Sequence, residues 1–474
     1  MLAATVGLAL LAPAPGASAG TATGTATGAG RPRPASTWTT TADGSSVLAW
    51  RGRTRFAKVT PATAALAAER QVIVVRPARA TQAFAGVGAS LTESSASLLN
   101  ALPVTTRAST LASLFGPTGL RLNILRQPLG SSDFVTRSPF TTYQDRAGVY
   151  DYSRDTGSIL PLIKAAQVLN PGLKLMAAPW SAPAWMKTSG SLTGGTLKAD
   201  QVVAYATYLA RVAAAYAAVG APLADLTIQN EPGLESSYPT MRLSVAQQIA
   251  VLRETDRQLT ALHLGTRLWA FDHNWSESAQ ALEVLRGVKD VPRVVGAAFH
   301  CYSGDPTAMR SIRAAGWRVR ETECSGTDSY DARRTFSDTL LWQTHYLVVQ
   351  GIRSGAESVI LWNLALNAAG GPTYGACGTR CNGVVQIQGS SVTRNAEYAV
   401  LGHLSKFVTP GARVIGTVTT SGGVENVAFI NPDRSRVVVL LNVDSAARTV
   451  TIRDRQRYTQ VTVPGLSVST VAWR

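Results

Sequence analysis

Eight short apolar runs, each separated from the next by a helical stretch, constrain the fold of this chain more than any other feature. The runs are residues 83–87, 122–127, 173–179, 225–230, 267–272, 294–300, 318–323 and 358–363. Between them, residues 105–115, 157–169, 199–219, 244–262, 277–287, 306–315 and 332–350 read as helices. Few of the gaps carry a hairpin signal such as Asn-Gly, so the strands need crossovers, and crossovers make parallel sheets. The pattern predicts a (β/α)8 TIM barrel ahead of an open doubly wound sheet. After His403 the texture changes. Residues 412–417, 424–430, 436–443, 447–453, 460–463 and 467–473 are short β-rich runs divided by Gly, Pro, Asn and Asp. They predict an antiparallel β-sandwich. Residues 46–50 and 71–75 are β-like pieces without a neighbour to pair with, and they are expected to complete that sandwich. Both chain ends then meet in one side domain. The expected division is a signal peptide at 1–19, a flexible leader at 20–36, strands joining the sandwich at 37–80, the barrel at 81–405 and the rest of the sandwich at 406–474.

The signal-peptide reading rests on an almost wholly apolar or small stretch that ends in Ala17-Ser18-Ala19. Pro13, Pro15 and Gly16 interrupt a run already too short to span a bilayer. Secretion is expected, with no stable membrane insertion, and four cysteines fit an oxidising compartment. The net charge of +16 suits acidic surfaces such as cell-wall polymers. Its Lys and Arg residues are dispersed and do not alternate with aromatics, so no nucleic-acid partner is expected.

Barrels of this kind place function at the C-terminal ends of their strands. There the sequence sets Ser131-Ser132-Asp133-Phe134, Trp180-Ser181-Ala182-Pro183-Ala184-Trp185-Met186, Asn230-Glu231, Asp272-His273-Asn274-Trp275, His300-Cys301-Tyr302, Glu323-Cys324-Ser325 and Trp362-Asn363. Acids, amides and aromatics at one rim suit a sugar: carboxylates for chemistry, indoles for pyranose faces, polar groups for hydroxyls. Any one Trp here is more often core than site, and it is their gathering at one rim that points to a sugar. Glu231 and Glu323 are the expected pair. Two carboxyls about 5 Å apart cannot easily both ionise, which drives their pKa values apart. Glu321 is the rival to Glu323, two residues earlier and read as lying on the same strand face but deeper in the barrel. His300 is expected to hydrogen-bond near the site, or else to be a satisfied core histidine.

Other chemistries fit less well. There is no HExxH motif or closely spaced His pair among the five histidines, so no metal is expected for the reaction. Gly86-Val87-Gly88 is too short for a dinucleotide loop, and no G-x-S-x-G elbow occurs. No cofactor is expected. A carbohydrate-binding protein that keeps the rim but lacks turnover stays open as the alternative. Among the cysteines, Cys377 and Cys381 enclose three residues of a Gly-rich loop and are expected to pair. Cys301 and Cys324 each follow a rim residue on neighbouring strands, about 4.8 Å apart, and are expected to pair as well.

At Pro179–Lys187, Thr227–Pro232, His300–Tyr302, Thr322–Gly326, Leu361–Asn367 and Leu401–Phe407 the chain resembles glycoside hydrolase family 30. That family includes lysosomal glucosylceramidase and microbial β-1,6-glucanases. The resemblance runs from about Phe84 to the C-terminus and implies a barrel with a sandwich built from both chain ends. It also implies retaining O-glycosyl hydrolysis, with Glu231 as acid/base and Glu323 as nucleophile. Asp133, Trp180, Asn230, Tyr302 and Trp362 match the family's glycone-binding positions. The expected substrate is a β-linked polysaccharide, β-1,6-glucan first, with β-1,6-galactan and glucosylceramide as alternatives. The loop 368–377, with Tyr374 as a stacking platform, is expected to wall the reducing-side subsites. A monomer is expected.

Overall fold

A computed structural model of the chain describes residues 34–60, 71–326, 335–375, 381–419 and 422–474. The expected signal peptide, most of the expected leader and Cys377 lie outside the described residues. The alternation closes into a barrel of eight parallel strands. In chain order they are Gly86–Ser90, Ile124–Leu129, Lys174–Pro179, Leu223–Thr227, Arg267–Asn274, Val294–His300, Arg318–Glu323 and Ala356–Leu361. Each pairs with the next, and the last returns to the first through Ser358↔Gly86 to Leu361↔Ala89. Ile124, Met176, Trp269, Ala298 and Ile360 fill the interior below the rim. Arg320 lies over the Trp269 ring at 4.4 Å and reaches Asp225 at 2.7 Å, so a paired charge floors the site.

The surrounding helices form where the apolar spacing places them. Helix Val202–Ala218 buries Tyr205, Tyr208, Leu209, Val212, Ala213 and Tyr216, a stripe at spacings of three and four. Helix Val245–Ala261 begins at Ser244, whose hydroxyl accepts from the N–H of Gln247 while the Gln247 side chain returns to the Ser244 N–H. Two helices, Glu93–Ala101 and Ala396–Ser405, have no counterpart in the periodicity reading. All ten residues of the latter are buried, so it shows no polar face for a periodicity reading to find.

The first strand lies three residues later than expected, at Gly86–Ser90 instead of 83–87. Ala83 instead ends the sandwich strand Val72–Ala83, and Phe84 is spent on the junction, where its N–H donates to Ala412 O. Gly88 is required here: a Cβ on it would meet Ile124 O at 2.0 Å. The strand expected at 225–230 forms its ladder over Leu223–Thr227.

Both chain ends build the sandwich. Ala35–Thr41 pairs antiparallel with the last strand, Ser467–Trp473, and begins two residues inside the stretch read as leader. Alternation sorts its residues between two cores. Val438 and Leu440 face the sandwich interior, whereas Val437, Val439 and Leu441 join the core shared with the barrel. The all-antiparallel expectation is corrected at one place. Val72–Ala83 runs parallel to Arg448–Asp454 while pairing antiparallel with Arg413–Thr419, which makes the ten strands one continuous folded sheet. His403 bridges the two halves, with its ring nitrogens 2.8 Å from Thr470 Oγ1 and 2.9 Å from Thr40 Oγ1.

Candidate active site

Glu231 is placed by backbone bonds to both neighbouring strand ends. Asn230 N–H donates to Pro179 O at 2.8 Å and Glu231 N–H to Asp272 O at 3.0 Å. Glu231, Phe271 and Asp272 hold φ of 48°, 75° and 73°, a left-handed conformation that L residues adopt at a cost of ~1–3 kcal/mol each. Three such residues side by side at the mouth of a barrel mark a site where orientation outweighs local comfort. Gln229 adds support from below, donating to Trp180 O at 2.7 Å and Asn230 O at 2.9 Å.

Glu323 reaches the same space through a break in alternation. Phe299 pairs with Glu321 but His300 pairs with Glu323, so the strand slips by one residue between them. Arg320 reaches Asp225 at 2.7 Å and Thr322 reaches Asp272 at 2.7 Å, both inside the barrel. Glu321, between them, turns away and accepts from Trp275 Nε1 at 2.9 Å. The expectation that Glu321 and Glu323 share a face is therefore wrong: the slip separates them. Burial holds the Glu321 carboxyl well above the usual carboxylate range, so it is neutral.

One buried guanidinium organises the centre. Arg126 donates to Glu323 Oε2, to Asn230 Oδ1 at 2.7 Å and to Asp272 Oδ2 at 3.0 Å. Its plane lies 5.0 Å from the Trp180 ring and 5.6 Å from the Trp362 ring. Those indoles stack with centroids 4.8 Å apart, and Trp362 Nε1 donates to Asp133 Oδ2 at 3.3 Å. Burial raises Asp133 well above its ordinary value. Its other oxygen has no hydrogen-bond partner among the described residues, which leaves it for a ligand hydroxyl.

His300 connects the two acids. Its Nδ1 is 2.9 Å from Glu231 Oε1 and 3.9 Å from Glu323 Oε1, and its Nε2 is 3.1 Å from Asp272 Oδ1. The alternative of a plain core histidine does not hold. Burial works against the charged ring, but Glu323 and Asp272 outweigh it and raise His300 to about 10. Burial of Asp272 is likewise outweighed, by Arg126 and His300, and it stays ionised. Glu231 is lowered because the His300 hydrogen bond and charge overcome its burial. Burial raises Glu323, and Glu231 adds to this against the pull of His300 and Arg126. The two carboxyls are thus pulled apart, Glu231 downward and Glu323 upward. Oxygens this close to one nitrogen suit the ~5 Å spacing of a retaining pair.

The fold brings Asp133, Trp180, Asn230, Glu231, His300, Tyr302, Glu323 and Trp362 together at one rim. Tyr302 lies across the mouth, 43% exposed, and donates its hydroxyl to Glu323 Oε1 at 3.0 Å. Cys301 and Cys324 form a disulfide with Cα atoms 5.2 Å apart, tying the residue before Tyr302 to the residue after Glu323. Tyr374 donates its N–H to Asp133 O at 2.7 Å and sets its ring edge-on to Phe140, so its loop is fixed to the rim. Arg126 and Tyr238 fall outside the rim residues that the sequence sets at the strand ends, and Asp272 and His273 stand among those residues with no role given. An Arg inside an otherwise apolar strand was the signal for the first. Tyr238, which packs against the cluster of Phe134, Trp180 and Trp362, had none.

This geometry has counterparts. The glycosyl hydrolase family 30 TIM-barrel domain matches residues 84–408, and the family's β-sandwich domain matches 411–471. The chain is 30% identical over 426 residues to endo-1,6-beta-D-glucanase neg1 of Aspergillus fumigatus, covering 82% of this chain and 84% of that protein. It is 28% identical over 445 residues to lysosomal acid glucosylceramidase of Mus musculus, covering 85% and 83%. Among solved structures it is similar to the endo-beta1,6-glucanase BT3312, with TM-score 0.83, 28% identity and coverage of 93% and 99%. SrfJ from Salmonella typhimurium gives TM-score 0.84 at 26% identity, covering 93% and 100%.

Proposed function

The chain belongs to glycoside hydrolase family 30 and is an O-glycosyl hydrolase, and from that premise we propose that it cleaves β-1,6-glucan with retention, using Glu323 as nucleophile and Glu231 as acid/base. The observation that carries this is the meeting of both carboxyls at one imidazole nitrogen, with Arg126 bonded to Glu323 and not to Glu231. In the first step Glu323 attacks the anomeric carbon. The glycosidic C–O bond breaks as the new C–O bond to Glu323 forms, and the leaving oxygen takes the proton from Glu231. The lowered Glu231 and raised Glu323 favour Glu323 as the carboxyl that keeps a proton; the first step needs that proton on Glu231, and the charge then rests on Glu323, where Arg126 and Tyr302 each hold one oxygen. In the second step Glu231 takes a proton from water, which displaces the sugar from Glu323. Arg126 bonds both Asn230 and Glu323, so the amide that meets the sugar 2-OH is held in register with the nucleophile.

The glucan assignment draws on relatives whose names state that activity and which match four-fifths of this chain. The enzyme is proposed to act outside the cell, in keeping with the Ala17-Ser18-Ala19 pattern. Among the described residues no helix is long and apolar enough to cross a membrane. Incubation with pustulan should release glucose or gentio-oligosaccharides of β configuration. Intact pustulan alongside cleavage of a β-1,6-galactan or of glucosylceramide would overturn the substrate and keep the mechanism. No cleavage of any of these or of an aryl β-glycoside would leave a carbohydrate-binding protein.

A further inference from the structure

His273 has no role in the chemistry above, yet it is buried beside the acid/base, 6% exposed, and its Nδ1 has no hydrogen-bond partner among the described residues. Strand register puts it there: Phe299 pairs with His273 and His300 with Asn274, so two histidines far apart in sequence share one corner of the rim. Their Nδ1 atoms flank a single oxygen. Glu231 Oε1 is 2.9 Å from His300 Nδ1 and 3.7 Å from His273 Nδ1, and the three atoms lie within 4.8 Å of one another. Two ligands each ~2.0 Å from a tetrahedral ion stand about 3.3 Å apart, between those two distances.

The outer atoms agree with this. A metal-bound histidine donates its second ring N–H to a carboxylate, which fixes the tautomer and raises its basicity. Here His300 Nε2 is 3.1 Å from Asp272 Oδ1, and His273 Nε2 is 3.6 Å from Glu277 Oε1. Both Nδ1 atoms are thereby turned towards Glu231. Two imidazoles and one carboxylate form a donor set for zinc-like ions, whereas magnesium and calcium need oxygens.

We propose that Glu231, His273 and His300 form a binding site for a divalent transition-metal ion of the Zn2+ class, which switches the enzyme off reversibly. The ion replaces the proton between His300 Nδ1 and Glu231 Oε1, and that proton leaves to solvent. Glu231 then has no proton to give, and the ion's charge on Oε1 makes the carboxylate a poorer base for taking one from water. Three protein ligands leave a fourth position for water.

The test uses the full chain, stripped of metal with a chelator. Co2+ serves as the spectroscopic probe and Zn2+ as the inhibitor. The visible bands of tetrahedral Co2+ should appear at one equivalent, Zn2+ should abolish them, and Zn2+ should inhibit turnover until EDTA restores it. His273→Gln should lose the bands and weaken Zn2+ inhibition at least ~10-fold relative to its own metal-free rate. Glu277→Gln, at a half-buried position, should weaken both by about tenfold, and it serves if His273→Gln does not fold. Tetrahedral bands that persist unchanged in both variants would overturn the proposal, as would Zn2+ binding without inhibition. The Co2+ spectrum needs no turnover, so a failed glycosidase assignment and a failed metal site are told apart.

Discussion

Tyr302 donates its hydroxyl to Oε1 of Glu323 at 3.0 Å, on the carboxylate oxygen that Arg126 does not hold. The two donors fix the plane of the carboxylate as well as its charge. A hydrogen bond to an ionised group contributes about 1.5–3 kcal/mol. Tyr302→Phe should therefore lower kcat about 10- to 100-fold on an aryl β-glucoside. The hydroxyl favours the ionised carboxyl, so its loss should also raise the Glu323 pKa and move the acidic limb of the kcat/KM profile to higher pH. An unmoved limb with a changed KM would mean that Tyr302 only binds sugar.

The proposed division of labour between Glu231 and Glu323 predicts different chemical rescues. Glu323→Gln should lose at least ~10⁴-fold in turnover without loss of fold, because no other group can form the ester. Glu231→Ala should be rescued by azide on substrates with good leaving groups, giving the β-glycosyl azide, since azide needs no base. An α-glycosyl azide from Glu231→Ala would mean that the nucleophile had been removed. NMR of the product before mutarotation checks the wild type, and an α-sugar released first would overturn retention.

His300 makes folding stability depend on pH, with a definite sign. The unfolded imidazole titrates near ~6.5, and burial against Glu323 and Asp272 raises the folded value to about 10. Below ~6.5 both states carry the proton and the contribution is complete. Between these values the folded state binds a proton that the unfolded chain lacks, so stability falls as pH rises, and the contribution is gone once pH passes about 10. Denaturant midpoints measured from pH 6.5 to 10 should decline in the wild type, and more steeply than in His300→Gln. Parallel curves for the two proteins would show that His300 is neutral in the folded state.

The barrel was readable because its strands and helices differ in period, and six of its eight strands lie within two residues of where the apolar runs place them, the fourth ending three residues early. The first did not, because Phe84 serves the junction with the sandwich, a contact from residues more than three hundred positions away. The rim residues were legible in the same way, since each follows a strand. Arg126 shows what such reading leaves out, and Asp272 and His273, set at the rim, show how little it says of a role. They lie within strands, where a polar residue looks like an exception to the pattern until its partners are known. Asp272 receives Thr227, Thr322, His300 and Arg126 from four other elements, and nothing in its neighbourhood along the chain announces any of them. The slip between Phe299 and His300 is equally silent, and it alone decides which glutamate of the seventh strand opens onto the rim.

That slip yields the last prediction. With alternation unbroken, Glu321 and Glu323 would face one way, and either could be drawn as the nucleophile. In the structure Glu321 accepts from Trp275 Nε1 at 2.9 Å, and burial keeps it protonated, so it has neither the position nor the charge to attack carbon. Glutamine presents the same acceptor to the indole and carries no charge, as Glu321 does in its protonated form. Glu321→Gln should therefore keep turnover within about threefold and stability within ~1 kcal/mol. Glu323→Gln, only two positions away, should abolish turnover. A 2-deoxy-2-fluoro-β-glucoside that accumulates the covalent intermediate should label Glu323 in both the wild type and Glu321→Gln, read by fragmentation of the peptide carrying both residues. A label on Glu321, or loss of labelling in Glu321→Gln, would reverse the assignment.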